Sequence, residues 1–385
     1  MGTQATLAER DARYSKIREA MASQNLDALL VAGKGHWWTG RGYVRYLTDF
    51  HMWAHDCLVL FPLEGEPLLT ISSYALADRV AKRGWITDCR GDVYLVPNMV
   101  KAMRERGFNR GRVGICGLQW ILPVGAFEEL KTGLPDVDFV NADGLLNDIR
   151  MVKSALEIQQ IRELWTLAKS AMERFVEIVE PGRSQRELSA EAARVLLAGG
   201  ARDILIFISE DGSASPPEDV PLKCDGVVTY HMEMSGESGH WAEITVHCAY
   251  REPSALAQKL MDGELRAYDE VRKMARPGAR LSDMARTFER VLLDDGWELG
   301  PPTEHYDFHG QGMDTIELPW YAAAPGWGAS QDRELVAGMV FSYHPRRAVR
   351  PKPDWLPGIN EDVLITDDGI ERLAGDWNLR WRMMR

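Results

Sequence analysis

Cysteine is scarce in this chain: five among 385 residues, at Cys57, Cys89, Cys116, Cys224 and Cys248. The number is odd and no CxxC pair occurs, so neither a disulfide framework nor a thiolate metal cluster is encoded. The five read as ordinary thiols of a reducing compartment, and the cytoplasm is the expected location. Long apolar runs are absent too: none approaches the roughly 18 residues that a membrane-spanning helix needs. The N-terminal stretch is charged from Glu9 onward and lacks the apolar core of a secretory signal. Basic charge is in deficit, with 45 Lys and Arg against 57 Asp and Glu and a net charge of −12. That balance argues against an electrostatic grip on nucleic acid or anionic lipid. Internal repeats and low-complexity segments are missing. The rest of the composition, 45% hydrophobic and 26% charged, is that of a folded globular protein long enough for two to three domains.

Residues 7–26 carry Tyr14, Ile17 and Met21 at helical spacing, and LDALLVAG then reads as a short buried strand. DCLVLFP, PLLTISS, DVYLVP and RVGICG read as further strands. They are interleaved with helical patterns at ALADRVAKRG, VPNMVKAMRERG and GAFEELKTGL, so residues 1–148 are expected to form an α/β domain. The long amphipathic stretch DIRMVKSALEIQQIRELWTLAKSAMERFVEIV, one helix or two stacked ones, marks the boundary. Ser184 and Glu187 then have the spacing of a capping box before another helix. ILIFIS, GVVTYHMEM, EITVHCAY, GMVFSYHP and EDVLITDDG are strand-like, with two helical patterns between the third and fourth. Residues 149–385 are therefore expected to be an α+β domain with a mostly antiparallel sheet.

Four segments of that second half carry chemistry. In HMEMSGESGHWAEIT, Glu233 and Glu243 flank a Gly-containing turn, so neighbouring strands can point carboxylates into one space. In FHGQGMDTIELP, His309 stands among glycines that allow close approach. GMVFSYHP ends in His344, and GINEDVLITDDG opens with Asn360, Glu361 and Asp362. Acid and imidazole groups gathered at several strand ends suit a metal or an acid/base site.

These segments, with LDALLVAG and VRYLTDF near the N-terminus, stand in the order found in the superfamily of aminopeptidase P, prolidase, methionine aminopeptidase and creatinase, and the chain resembles it over nearly its whole length. The resemblance implies a creatinase-like α/β N-terminal domain followed by an α+β pita-bread catalytic domain. Peptidases of the superfamily hold two metal ions with two Asp, one His and two Glu. By position the first Asp falls on Met232 and the second on Glu243. The His falls on His309, which is kept, and the two Glu fall on His344 and Asn360. A histidine further along falls on Ile316. With a thioether and an amide among the ligands, peptidase activity is not expected.

What the resemblance leaves is Glu243, His309 and His344, a set able to bind one Fe(II), Zn(II) or Mn(II) with open positions. A metal-free site remains an alternative, in which the same groups act as acid and base. Creatinase is the precedent for that, but its histidine falls near Ser215 and a strand carboxylate on Thr245, so creatine is not the expected substrate. Glu317 is a further catalytic candidate. His231, Glu233 and Glu361 are expected to face away by strand alternation; if the register slips by one, they join the site, which is then similar to that of the dimethylsulfoniopropionate lyases. Among the 13 tryptophans, Trp241 and Trp320 are placed to wall the site, with Trp37, Trp38 and Trp327 in other loops. Arg346, with Arg347 and Arg350, can hold a substrate carboxylate. The expected protein is a homodimer in which GKGHWWTGRGYVRY lids a neighbour's pocket. It is read as a hydrolase cleaving a C–N bond in a small polar metabolite, the alternatives being a lyase cleaving a C–S or C–C bond and a catalytically inactive binding protein.

Overall fold

The computed structural model describes residues 3–35, 40–210, 212, 214–322 and 331–385. Trp37, Trp38 and Trp327 lie outside the described residues, as does the centre of the expected lid segment. The chain divides into two compact units, Met1–Arg150 and Met151–Arg385.

The first unit is an α/β unit whose described residues form the helices α1 (Thr3–Ser23), α2 (Arg41–Thr48), α3 (Tyr74–Arg83), α4 (Leu95–Glu105), α5 (Val124–Gly133) and α6 (Asp143–Met151), the last ending at the boundary. Its strands are β1 (Ala28–Lys34), β2 (Asp56–Pro62), β3 (Leu68–Ile71), β4 (Asp88–Gly91), β5 (Arg110–Cys116) and β6 (Asp136–Asn141). They form one sheet in the order β4-β3-β2-β1-β5-β6. At its centre β1 pairs antiparallel with β2 and parallel with β5. The run Ala28–Ala32 is apolar on both faces because both are covered, and no residue in it is more than 2% exposed. The expected strand at DVYLVP is corrected: the strand is Asp88–Gly91, and Leu95 already opens α4. Pro97 sits in the first helical turn, where a missing N–H costs nothing because those groups have no intrahelical partner.

The second unit begins with α7 (Ala155–Ile178) and α8 (Gln185–Ala198). A full capping box at Ser154 and Glu157 starts α7, separating it from α6 and settling the long amphipathic stretch as two helices. Ser184 caps α8 by accepting from the Arg186 N–H rather than from that of Glu187. These helices pack on a four-stranded sheet containing β7 (Asp203–Ser209), β8 (Val227–Ser235) and β9 (Trp241–Ala249). Even-numbered residues of β8 and β9, including Tyr230, Met232, Met234, Ile244 and Val246, face the helices and are at most 1% exposed. The Phe175 ring of α7 stacks flat on Tyr230, 3.7 Å between centroids. Burying such a side chain is worth about 1.5–3 kcal/mol, so this face fixes the register of the pair.

A second helical pair, α9 (Ala255–Met274) and α10 (Leu281–Asp294), packs on a five-stranded sheet. In chain order the remaining strands are β10 (Glu298–Leu299), β11 (Tyr306–Gly310), β12 (Glu317–Tyr321), β13 (Val340–Arg346), β14 (Val349–Arg350), β15 (Glu361–Ile365), β16 (Ile370–Arg372) and β17 (Arg382–Met383). The five-stranded sheet runs β12-β11-β13-β15-β16, β17 joins the edge of the four-stranded one beside β9, and β10 pairs with β14. The four- and five-stranded sheets meet at the site described next.

Candidate functional site

Three strands deliver one side chain each to a common point. Glu243 comes from β9, His309 from β11 and His344 from β13, and one ligand atom from each lies within 4.8 Å of the others. Glu243 Oε1 is 3.2 Å from His309 Nε2, and Glu243 Oε2 is 3.8 Å from His344 Nε2. The Nδ1–H of His309 is donated to the Gly310 carbonyl at 2.9 Å, which fixes the ring and aims Nε2 at the carboxylate. His344 lies flat on Tyr306, 4.8 Å between ring centroids, and its Nε2 has no hydrogen-bond partner among the described residues.

The charges follow from this geometry. Burial alone would push the Glu243 carboxyl up, but His309, by charge and hydrogen bond, together with His344 and His231 holds it below the ordinary carboxylate range. For His309 burial works against the cation, yet Glu243 raises its pKa above the usual imidazole value. His344 is pushed down to about 3, first by burial and then by its neighbours His309, Arg346 and His231, against the pull of Glu243. The site thus sets a carboxylate beside one histidine whose charged form is favoured and one whose neutral form is favoured.

Asp362 of β15 closes the floor. Its Oδ2 accepts from the Trp165 indole at 2.9 Å and from the Glu243 backbone N–H at 3.4 Å. Burial and the facing Glu243 charge push its pKa well above the usual range, so it stays protonated. Asp362 stands in the polar opening of its strand, but nothing in its spacing distinguished it as a site residue. Tyr306 escaped sequence reasoning for a different reason. The β11–β13 register shifts between Tyr306 and Phe308, so Tyr306 lies on the site face although alternation from Phe308 would place it behind.

Met232 is fully buried among core residues, directly opposite Ile244, so its thioether points away from Glu243. Glu233, in contrast, is directly opposite Glu243, and His231 is opposite Thr245. Cross-strand partners share a face, so the expectation that His231 and Glu233 turn away is corrected. His231, Glu233 and Glu243 form a second acid/imidazole group within 4.8 Å. Glu361 points to the opposite side, hydrogen-bonded to Tyr268 and to Arg372.

Glu317 lies at the start of β12, where its carboxylate accepts from the Met313 and Asp314 N–H groups and pairs with buried Lys153 at 3.0 Å. It therefore braces the Gly310–Asp314 loop. Trp241 opens β9, its backbone N–H donated to the Gly312 carbonyl at 2.7 Å, and Trp320 is directly opposite His309. Asn360 is buried just before β15 with Oδ1 unpartnered among the described residues. Arg346 is exposed, across from Tyr306. Arg347 is not available to a substrate: it is buried and ion-paired with Asp307 and Glu289.

Two family models match this architecture. Residues 159–367 match metallopeptidase family M24, and residues 13–152 match the creatinase/prolidase N-terminal domain. The chain belongs to metallopeptidase family M24, of the pita-bread superfamily, with a creatinase-type N-terminal domain. It is 25% identical to the ectoine hydrolase of Halomonas elongata, over 96% of each chain. The Xaa-Pro dipeptidase of Pyrococcus horikoshii is 25% identical over 67% of this chain and 72% of its own. Among solved structures, the X-Pro aminopeptidase of Thermotoga maritima superposes with a TM-score of 0.79 over 96% of this chain and 99% of its own at 16% identity. The prolidase of P. horikoshii gives 0.75 at 21% identity, over 96% of this chain and all of that one. Among the described residues no helix is long and apolar enough to cross a membrane.

Proposed function

We propose that the protein is a non-peptidase hydrolase of its family, cleaving a C–N bond in a small polar metabolite as a cytoplasmic homodimer. The observation that carries this reading is the convergence of Glu243, His309 and His344 at one buried point. It is supported by the end-to-end likeness to an enzyme that hydrolyses ectoine. It is supported also by the make-up of the site, where the imidazoles of His309 and His344 stand beside the Glu243 carboxylate.

The donor set suits one divalent ion, Fe(II), Zn(II) or Mn(II). The free Nε2 of His344, the aimed Nε2 of His309 and the carboxylate of Glu243 make two imidazoles and one carboxylate. Such an ion, when bound, polarises the scissile group and lowers the pKa of water. The chain's own contribution is to orient and exclude. Gly310 sets the His309 ring, Asp362 holds the Glu243 backbone, and Tyr306, itself backed by Trp320, covers the neutral His344. Arg346, exposed across from Tyr306, is the cation that meets a substrate carboxylate in this reading.

One observation favours a metal-free form of the same reading. Glu243 and His309 are already in direct contact at 3.2 Å, an acid–base pair in which one group takes a proton from water and the other gives one to the leaving nitrogen. Elemental analysis of the purified, tag-free protein and of Glu243→Ala and His344→Ala separates the two. One ion per chain, lost in both variants, is expected. Less than about a tenth of an equivalent, unchanged after supply of Fe(II), Zn(II) or Mn(II), leaves the metal-free form. Turnover of an Xaa-Pro dipeptide, with none of ectoine or small amides and amidines, would overturn the non-peptidase reading.

A further inference from the structure

Beside the three-residue centre, on the same face of β8 and β9, a second constellation runs from strand to strand. His231 Nδ1 and the Thr245 hydroxyl are 2.8 Å apart, and His231 Nε2 is 3.2 Å from Glu233 Oε1. A carboxylate oxygen accepts, so Nε2 carries the proton donated to Glu233 and Nδ1 is left to accept the Thr245 O–H. A hydroxyl donating to an imidazole whose other nitrogen is held by a carboxylate is the arrangement of an activated nucleophile, its base and its orienting acid. The order is fixed by the fold, because Thr245 and His231 are directly opposite in the β8–β9 pair. On its other side the ring of His231 lies against Phe207 of β7, 6.0 Å between centroids, so it is held from both neighbouring strands. The constellation is reachable: His231 and Glu233 keep 17% and 14% side-chain exposure.

We propose that Thr245 is an acyl-accepting nucleophile, with His231 as its general base and Glu233 orienting the imidazole, and that the site accepts a carboxylic acyl group from an ester or amide. In the first step Thr245 Oγ bonds to the acyl carbon while its proton passes to His231 Nδ1. The bond to the leaving oxygen or nitrogen breaks, and the leaving group takes that proton. In the second step water adds to the acyl carbon and the Thr245 oxygen leaves, recovering its proton. Glu243 lies two residues away on the same strand face, roughly 7 Å along β9, close enough to serve the water of the second step.

The probe is p-nitrophenyl acetate, which needs neither the natural substrate nor a metal, so the outcome is independent of the C–N reading above. The expected result is an acetyl group on Thr245 in peptide mapping of the native protein. Where deacylation outruns acylation, the expected result is p-nitrophenol release that falls about 100-fold or more in Thr245→Val and His231→Gln and persists in Thr245→Ser. Glu233→Gln is expected to slow release less than His231→Gln, as an orienting group does. Acetyl found only on other side chains of the native protein, or release unchanged in Thr245→Val or His231→Gln, overturns the proposal. Melting temperatures of the variants accompany the rates, and the site of labelling in the native protein decides if Thr245→Val does not fold.

Discussion

The two faces of the β8–β9 pair carry the same backbone and opposite chemistry. The even face meets α7 and α8 and holds only apolar groups and Tyr230, packed to near zero exposure. The odd face is a polar track of three directly opposed pairs, Glu233 with Glu243, His231 with Thr245 and Thr229 with His247. Each charge on that track has a named partner, and the far end is tied by His247 to the Thr229 hydroxyl and to the Gly358 carbonyl. A sheet wall of this kind separates stability from chemistry by parity: one residue along the strand exchanges one for the other.

The strongest test of that separation puts a charge on the wrong face. Met232→Asp carries a carboxylate into the core opposite Ile244. The expected loss is about 4 kcal/mol or more in denaturant unfolding, because an unpaired buried charge has no compensation. No gain in metal content is expected.

A smaller effect comes from the far end of the polar track. Burial, with a minor contribution from Arg346 against the Gly358 carbonyl, pushes His247 down from 6.5 to about 4. Above pH 6.5 the imidazole is neutral whether the chain is folded or not, so it costs nothing. As pH falls from 6.5 toward 4, the unfolded chain takes up a proton that the folded one refuses, and stability drops by about 3 kcal/mol. In His247→Asn this acid slope is expected to flatten, read from urea unfolding at a series of pH values.

The smallest effect belongs to the near end of the track. Glu233→Gln keeps shape and a hydrogen-bonding oxygen at a partly exposed position, so unfolding free energy is expected to change by less than about 1 kcal/mol. A loss comparable to that of Met232→Asp would erase the distinction between the faces.

Much of this was legible in the chain. The β-branched runs of β8, β9, β13 and β15 and the glycine-flanked His309 of β11 located the strands around the site. Glu243, His309 and His344 do converge. The face of His231 and Glu233 was not legible, because alternation gives two sets of residues and only the pairing partner decides which set is buried. Tyr306 was hidden by a register shift that no residue type announces. Asp362 was hidden because a protonated, buried acid and a surface acid are the same letter. The misplaced strand at DVYLVP shows the limit of β propensity, since Val and Tyr there lead into a helix whose first turn accepts Pro97.

The Trp165–Asp362 hydrogen bond joins residues 197 positions apart in the chain, and Glu243 rests on the same carboxyl. As the polypeptide leaves the ribosome, α7 therefore waits for β15 before the floor beneath Glu243 exists. Contacts of such sequence separation form late and slowly. A nascent chain halted before Asp362 would lack the carboxyl that ties Trp165 to the Glu243 backbone, so the floor of the site is completed only once β15 has emerged.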